Sequence, residues 1–109
     1  MDDLYSELQS LRDQLNISIK QLRTNGTKAA QAEHDYKVLL RQECLKLRDA
    51  GMAVGLITMT AYGIPSVADA RFNRDVTKTV YEANQEAINS IKLQLRLIEN
   101  QLQREWGAS

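Results

Sequence analysis

Apolar residues in the first fifty positions recur at steps of three and four, the spacing that places side chains on one face of an α-helix. In the first segment they are Leu4, Leu8, Leu11, Leu15, Ile19 and Leu22. In the second segment they are Ala29, Ala32, Tyr36, Leu40, Cys44 and Leu47. Asn25-Gly26 lies between the segments, and glycine favours the left-handed conformation that ends many helices. The pattern therefore predicts a helical hairpin over residues 1–51, closed by Gly51.

Residues 52–64 have a different character, because they are uncharged and mostly apolar. They contain Gly55 and Gly63, and glycine weakens a long helix. This composition predicts a short connector helix from about Ala53 to Tyr62, stopped by Gly63. We expect the connector to be buried.

The last segment begins at Pro65, whose fixed backbone angle suits the first turn of a helix. The apolar positions that follow are Phe72, Val76, Val80, Ala83, Ala87, Ile91, Leu95, Ile98 and Leu102. No glycine or proline interrupts the sequence before Gly107. The segment predicts one long helix over residues 65–106. Its roughly 60 Å length exceeds the ~34 Å diameter of a compact globule of this size.

Leu93 and Leu97 fall on a different side of this helix from Ile91 and Leu95. A helix that is apolar on two sides needs two neighbours. The sequence therefore predicts a coiled-coil-like oligomer, a homodimer or a higher assembly, built on the long helix. The predicted fold class is all-α, with a single domain over residues 1–109.

Composition excludes several classes of protein. The chain is 43% hydrophobic and 26% charged, so it is not of the disordered type. It has 14 basic and 14 acidic residues, which argues against a protein that finds nucleic acid or acidic membranes by long-range attraction. The single cysteine, the acidic start and the lack of a long apolar run predict a cytoplasmic protein with no membrane partner.

Catalytic and metal chemistry have few candidate residues. Zinc or iron needs three or four converging ligands, and the chain has one histidine, His34, and one cysteine, Cys44. Cys44 lies on the apolar face of its helix, where a free cysteine behaves as a small hydrophobic residue. No phosphate-binding glycine pattern is present. We therefore predict no enzymatic activity, no catalytic residue, no metal and no cofactor.

The most informative polar cluster is a basic row at the start of the long helix, with hydroxyl groups just upstream. The row is Arg71, Arg74, Lys78 and Tyr81, and the upstream residues are Thr58, Thr60 and Tyr62. Steps of three and four place the row on one face, roughly opposite Val76 and Val80. Arginine binds phosphate in a bidentate manner and stacks on bases, and tyrosine adds a stacking surface. Alternatively, the row is a solvated face that pairs with Asp69, Asp75 and Glu82.

Several runs of the sequence resemble small all-helical proteins of unassigned function from phages and prophages of Gram-positive bacteria. The runs that carry the resemblance are Leu47–Val54, Leu56-Ile57, Tyr62-Gly63, Val67-Ala68, Arg71–Asp75, Glu86–Leu93 and Arg104-Glu105-Trp106. The resemblance implies a role in phage DNA metabolism or in countering host defence, inside the bacterial cell. It brings no established site residues.

Three functional hypotheses follow. The first is a non-enzymatic oligomer that binds a phosphate-bearing ligand and sequesters a nucleotide immune signal of the host. The second is an accessory protein of phage DNA metabolism that binds single-stranded DNA or a recombination protein. The third is a helical adaptor or inhibitor that docks on a host protein.

Overall fold

Three α-helices account for nearly all of the computed structural model, which describes residues 2–107. They are α1 (Asp2–Asp49), α2 (Val54–Tyr62) and α3 (Pro65–Gly107). No β-strand occurs in that range. None of these three helices contains a stretch long and apolar enough to cross a membrane. The all-α class, the short connector helix and the long C-terminal helix are confirmed.

The predicted break in the first fifty residues is wrong, because α1 continues as one helix through Asn25 and Gly26. A glycine inside a helix costs only about 1 kcal/mol relative to alanine. Each large aliphatic side chain that the helix buries contributes roughly 2 kcal/mol, so packing outweighs the glycine. Gly51 ends the helix instead, with φ +89°, and the Met52 N–H donates to the carbonyl of Leu47 at 3.1 Å.

A helical hairpin is present, but its arms are stretches of α1 and α3 rather than the two halves of residues 1–51. The chain packs as two compact units. The first unit joins the chain up to Thr24 with the chain from Tyr81, and the second is Asn25–Val80. Both units contain a stretch of each long helix. The single domain stays a prediction.

In the first unit, buried and half-buried side chains follow a heptad repeat on both helices, with alternating steps of four and three. They are Leu4, Leu8, Leu11, Leu15, Ser18 and Leu22 of α1, and Tyr81, Asn84, Ile88, Ile91, Leu95, Ile98 and Leu102 of α3. Ser18 takes the place that the sequence pattern gave to Ile19, which is 48% exposed. A strict heptad requires position 18, since the step from Leu15 is three.

Asn84 is the buried polar side chain of this seam. Its Nδ2 donates a hydrogen bond to the backbone carbonyl of Ser18 at 3.1 Å. A buried amide must find such a partner, and shifting the two helices past each other would remove it. The bond therefore favours one register of α1 against α3 in this unit.

In the second unit, α2 buries only Ile57 and Ala61. Val54, Leu56 and Met59 are 83%, 56% and 75% exposed, so the prediction of a buried connector is wrong for the single chain. A nine-residue helix has one inward face, and apolar residues on every side of it cannot all be covered. The Gly63 N–H donates to the carbonyl of Thr60 at 3.1 Å and α2 stops there, as predicted.

The apolar stripe predicted along α3 does not lie on a single face. Phe72, Val76 and Val80 are exposed, whereas the later members from Ile91 onward are buried. Steps of four drift around the helix relative to a heptad, so a run of such steps leaves the seam. Leu93 and Leu97 are 53% and 57% exposed, which confirms that they lie apart from Ile91 and Leu95.

We predict that truncation inside the seam destabilises the protein far more than the same truncation outside it. Ile98 is 8% exposed and Ile17 is 57% exposed. Ile98→Ala should lower the free energy of unfolding by about 2–5 kcal/mol, and Ile17→Ala by less than about 1 kcal/mol. Urea denaturation followed by circular dichroism measures both. Equal losses for the two variants would contradict the assigned seam.

Candidate ligand-binding row on α3

Arg71 and Tyr62 are brought together by the short connection between α2 and α3. The guanidinium carbon of Arg71 lies 5.2 Å from the centre of the Tyr62 ring. This is within the range of a cation–π contact. Both side chains remain exposed, so the outer edge of the guanidinium is open to solvent. The predicted grouping of these two residues is present in the second unit.

Arg74 has a different environment, because it occupies a seam position and is half-buried. Its guanidinium carbon lies 4.5 Å from the centre of the Tyr36 ring on α1. Its Nε donates to Oδ1 of Asp75 at 3.0 Å, and Nε also lies 3.6 Å from Oε2 of Glu33. The hydrogen bond to Asp75 raises the pKa of Arg74 further above its already high ordinary value. Two carboxylates therefore already balance this charge.

The other predicted site residues are less closely grouped. Lys78, Thr58 and Thr60 are exposed. Tyr81 is half-buried in the seam of the first unit, rather than in the unit that contains Arg71 and Arg74. Within the second unit, the structure thus brings Arg71 to Tyr62, while the two threonines stand on the solvent side of α2.

Tyr36 and Glu33 are partners of the row that the sequence reasoning missed. Both lie on α1, and the predicted break at Gly26 obscured which stretch of α1 faces the start of α3. The heptad spacing of Ala29, Ala32 and Tyr36 could have indicated it. The alternative interpretation, a row engaged in local ion pairs, applies to Arg74 through Asp75. It does not describe Arg71, whose observed partner is an aromatic ring.

The residues considered for covalent or metal chemistry, His34 and Cys44, both lie on α1. His34 is exposed and Cys44 is half-buried. Between residues 2 and 107, no group of three or more histidine, cysteine, aspartate or glutamate side chains could hold a metal ion.

No protein-family model matches this chain, and no match of significance was found among the curated proteins or the solved structures. The resemblance to small phage proteins thus stays a prediction. The geometry of the row and the exposure of its side chains are the basis for a functional proposal.

We predict that Arg74 stabilises the fold and that Arg71 contributes little to it. Arg74→Ala removes the stack on Tyr36 and leaves Asp75 without its cation, while Glu33 keeps its ion pair with Lys37, so the free energy of unfolding should fall by about 1–2 kcal/mol. Arg71→Ala, at an exposed stack, should cost less than about 1 kcal/mol. Thermal and urea unfolding of both variants would test this difference. A larger loss for Arg71→Ala would contradict it.

Proposed function

We propose that the protein is a non-enzymatic, self-associating helical protein that binds a phosphate-bearing ligand at the start of α3. Arg71 and Lys78 would hold phosphate groups, and the Tyr62 ring would stack on a base. The observation that carries the proposal is the exposed Arg71–Tyr62 stack at 5.2 Å. It joins the phosphate-binding and base-stacking groups in one place on the surface.

The stack prepares Arg71 for a bidentate contact. A guanidinium that lies over a ring loses rotational freedom, while its N–H groups point outward in the plane and stay available for oxygen acceptors. Phosphate accepts such paired N–H groups in the fork geometry that arginine provides. The flat ring of Tyr62 is itself 40% exposed and offers surface for an aromatic base.

Lys78 adds a second cation one heptad after Arg71 along α3. Seven residues of helix correspond to about 10 Å along the axis. Lys78 is exposed, and no ion pair involving it is found in the described chain. Two cations at this spacing favour a ligand with more than one phosphate, such as a linear or cyclic oligonucleotide.

Arg74 has a supporting role in this proposal. Glu33 and Asp75 already neutralise its charge, so a phosphate would have to displace a carboxylate to reach it. Its contact with Tyr36 holds α1 beside the start of α3. We therefore revise the predicted site: Arg71 and Lys78 contact phosphate directly, and Arg74 positions the helix that carries them.

Self-association would place two copies of the ligand site in one assembly. In a single chain Arg71 and Lys78 are open to solvent. They lie on a side of α3 away from Val76 and Val80, so copies that meet through the latter face would leave both sites free to bind ligand. In the setting that the phage resemblance implies, such an assembly would act in the bacterial cytoplasm and sequester a nucleotide immune signal.

A helical adaptor that docks on a host protein is the second candidate. It is favoured by the exposure of large apolar side chains, since Val54 is 83%, Met59 75% and Phe72 71% exposed. Monomeric proteins seldom leave large apolar patches uncovered. Capture of a host protein that persists after Arg71→Ala with Lys78→Ala, together with no nucleotide binding by the unmodified chain, would favour this candidate.

Isothermal calorimetry with a panel of linear and cyclic nucleotides tests the proposal. The double variant Arg71→Ala with Lys78→Ala should weaken binding at least tenfold, because each charge-assisted hydrogen bond contributes about 1.5–3 kcal/mol. Arg96→Ala, an exposed arginine of the first unit, is the matched control and should leave affinity unchanged.

The unmodified chain should release heat with at least one phosphate-bearing compound. No heat with any member of the panel would reject the proposal. Binding that strengthens with the length of single-stranded DNA and falls steeply with salt would instead assign the row to the DNA-metabolism hypothesis.

A further inference from the structure

An apolar stripe runs along α3 on a face that α1 does not cover. It consists of Phe72, Val76 and Val80, which we call the outer stripe. These side chains are 71%, 42% and 47% exposed. Together with Asp75 and Thr79 they line a shallow, largely apolar depression in the second unit. The exposed large apolar side chains of α1 are more widely spaced along their helix: they are Tyr5, Ile17, Ile19, Val38 and Leu45.

From Val76 onward the outer stripe follows the spacing of a second coiled-coil seam, and Phe72 lies one turn earlier, at position f. The first seam of α3 uses positions a and d of the heptad, with Arg74 at a and Thr77 at d. Val76 and Val80 then occupy c and g, and the same positions later in the sequence hold Ala83, Ala87 and Ser90. Small and apolar residues at c and g make a helix able to pack with a further helix beside its first partner.

We propose that the outer stripe is covered by the same stripe of a second copy of this chain. The proposal deepens the self-association proposed above, on which it rests, by naming the surface. A two-fold dimer needs a patch that is complementary to itself. Phe72 and Val80 lie four residues on either side of Val76. Two antiparallel α3 helices centred on Val76 would therefore place each Phe72 against the partner's Val80.

Charge supports a copy of the same chain as the occupant. The net charge is zero, with 14 residues of each sign, so two copies do not repel each other. The outer stripe itself contains no charged side chain. The neighbouring open groove is lined by Asn73, Thr77, Lys28 and Asp35, among others. Lys28 and Asp35 are opposite in charge and one heptad apart. A two-fold axis that passes between them could bring Lys28 of each copy to Asp35 of the other copy.

A membrane surface fits this face less well. The carboxylate of Asp75 borders the outer stripe and is held in an ion pair with Arg74 at 2.9 Å. Inserting the stripe into a bilayer would carry that carboxylate toward the apolar phase at a high desolvation cost. Packing against another helix leaves the same carboxylate at the solvated rim.

Size-exclusion chromatography with light scattering, at about 50 μM protein, tests the surface. The unmodified chain should show at least twice the chain mass of 12.4 kDa. Val76→Glu should shift the mass to that of one chain, with an unchanged far-ultraviolet dichroism spectrum. Ile17→Glu places the same carboxylate at an exposed isoleucine outside the stripe and should keep the assembly intact.

The outcomes separate the proposal that the protein self-associates from the proposal that the outer stripe is the interface. An assembly that survives Val76→Glu would overturn the outer stripe as the interface and leave self-association standing. A monomeric unmodified chain would overturn both, whether or not calorimetry detects a ligand. If the unmodified chain is a monomer and Val76→Glu abolishes capture of a different protein, the stripe is a heterologous docking site and the proposal is likewise rejected.

Disulfide trapping tests the antiparallel register. In a Cys44→Ser background, Val76→Cys should form a covalent dimer under mild oxidation, because the axis brings the two cysteines together. Ile17→Cys in the same background is the matched control and should remain mostly monomeric on a non-reducing gel. An assembled Val76→Cys protein that gives no more covalent dimer than the control would overturn a pairing centred on Val76.

Discussion

The alternation of steps of three and four along α1 and α3 is the constraint on which the rest of the structure depends. A helix of this length gains most of its stability from packing rather than from intrinsic propensity. In the first unit the strict heptad brings six leucine and isoleucine side chains into one buried cluster. The same alternation on α1 continues through Asn25 to Ala29 and Tyr36. A break at Gly26 would therefore turn the apolar side chains of α1 after Gly26 away from α3.

Polar residues occupy seam positions in both units where apolar ones would have packed, and Asn84 and Arg74 both have partners on α1. Asn84 donates to the Ser18 carbonyl, and Arg74 stacks on Tyr36 while it pairs with Glu33 and Asp75. Such contacts are specific to one alignment of the helices, whereas leucine and isoleucine pack in several registers. The polar positions thus restrict register, and the apolar ones provide most of the free energy.

Because α1 covers one side of α3, the proposed ligand site and the proposed self-association face lie on the remaining sides. Arg71 and Lys78 occupy the e positions next to the seam, whereas Phe72, Val76 and Val80 of the outer stripe occupy f, c and g. On a heptad wheel the b position separates these two sets. A ligand-binding row and a self-association face can therefore coexist on a single helix. The heptad register fixes where each side chain of α3 can lie, and it therefore places the proposed ligand site and the proposed self-association face on different sides of the helix.

The class of fold, the connector and the length of α3 could be predicted from periodicity and from glycine and proline positions. The path of α1 could not, since Asn25-Gly26 is a good local stop signal and the seam that overrides it involves residues about sixty positions away. The candidate ligand-binding row could likewise be predicted only in part from the sequence. Its spacing identified Arg71 and Tyr62, but the role of Arg74 depends on Tyr36 and Glu33, which only the pairing of α1 with α3 brings near.

The continuity of α1 through Asn25 and Gly26 is the central claim to measure directly. Backbone nuclear magnetic resonance of the uniformly labelled chain provides it, through the ¹³C shifts and medium-range proton contacts of residues 23–28. The structure predicts helical shifts and contacts between residues three and four apart across Gly26. Turn-like shifts at Asn25 and Gly26, with contacts between Leu22 and Ala29 side chains of a reversed chain, would contradict it.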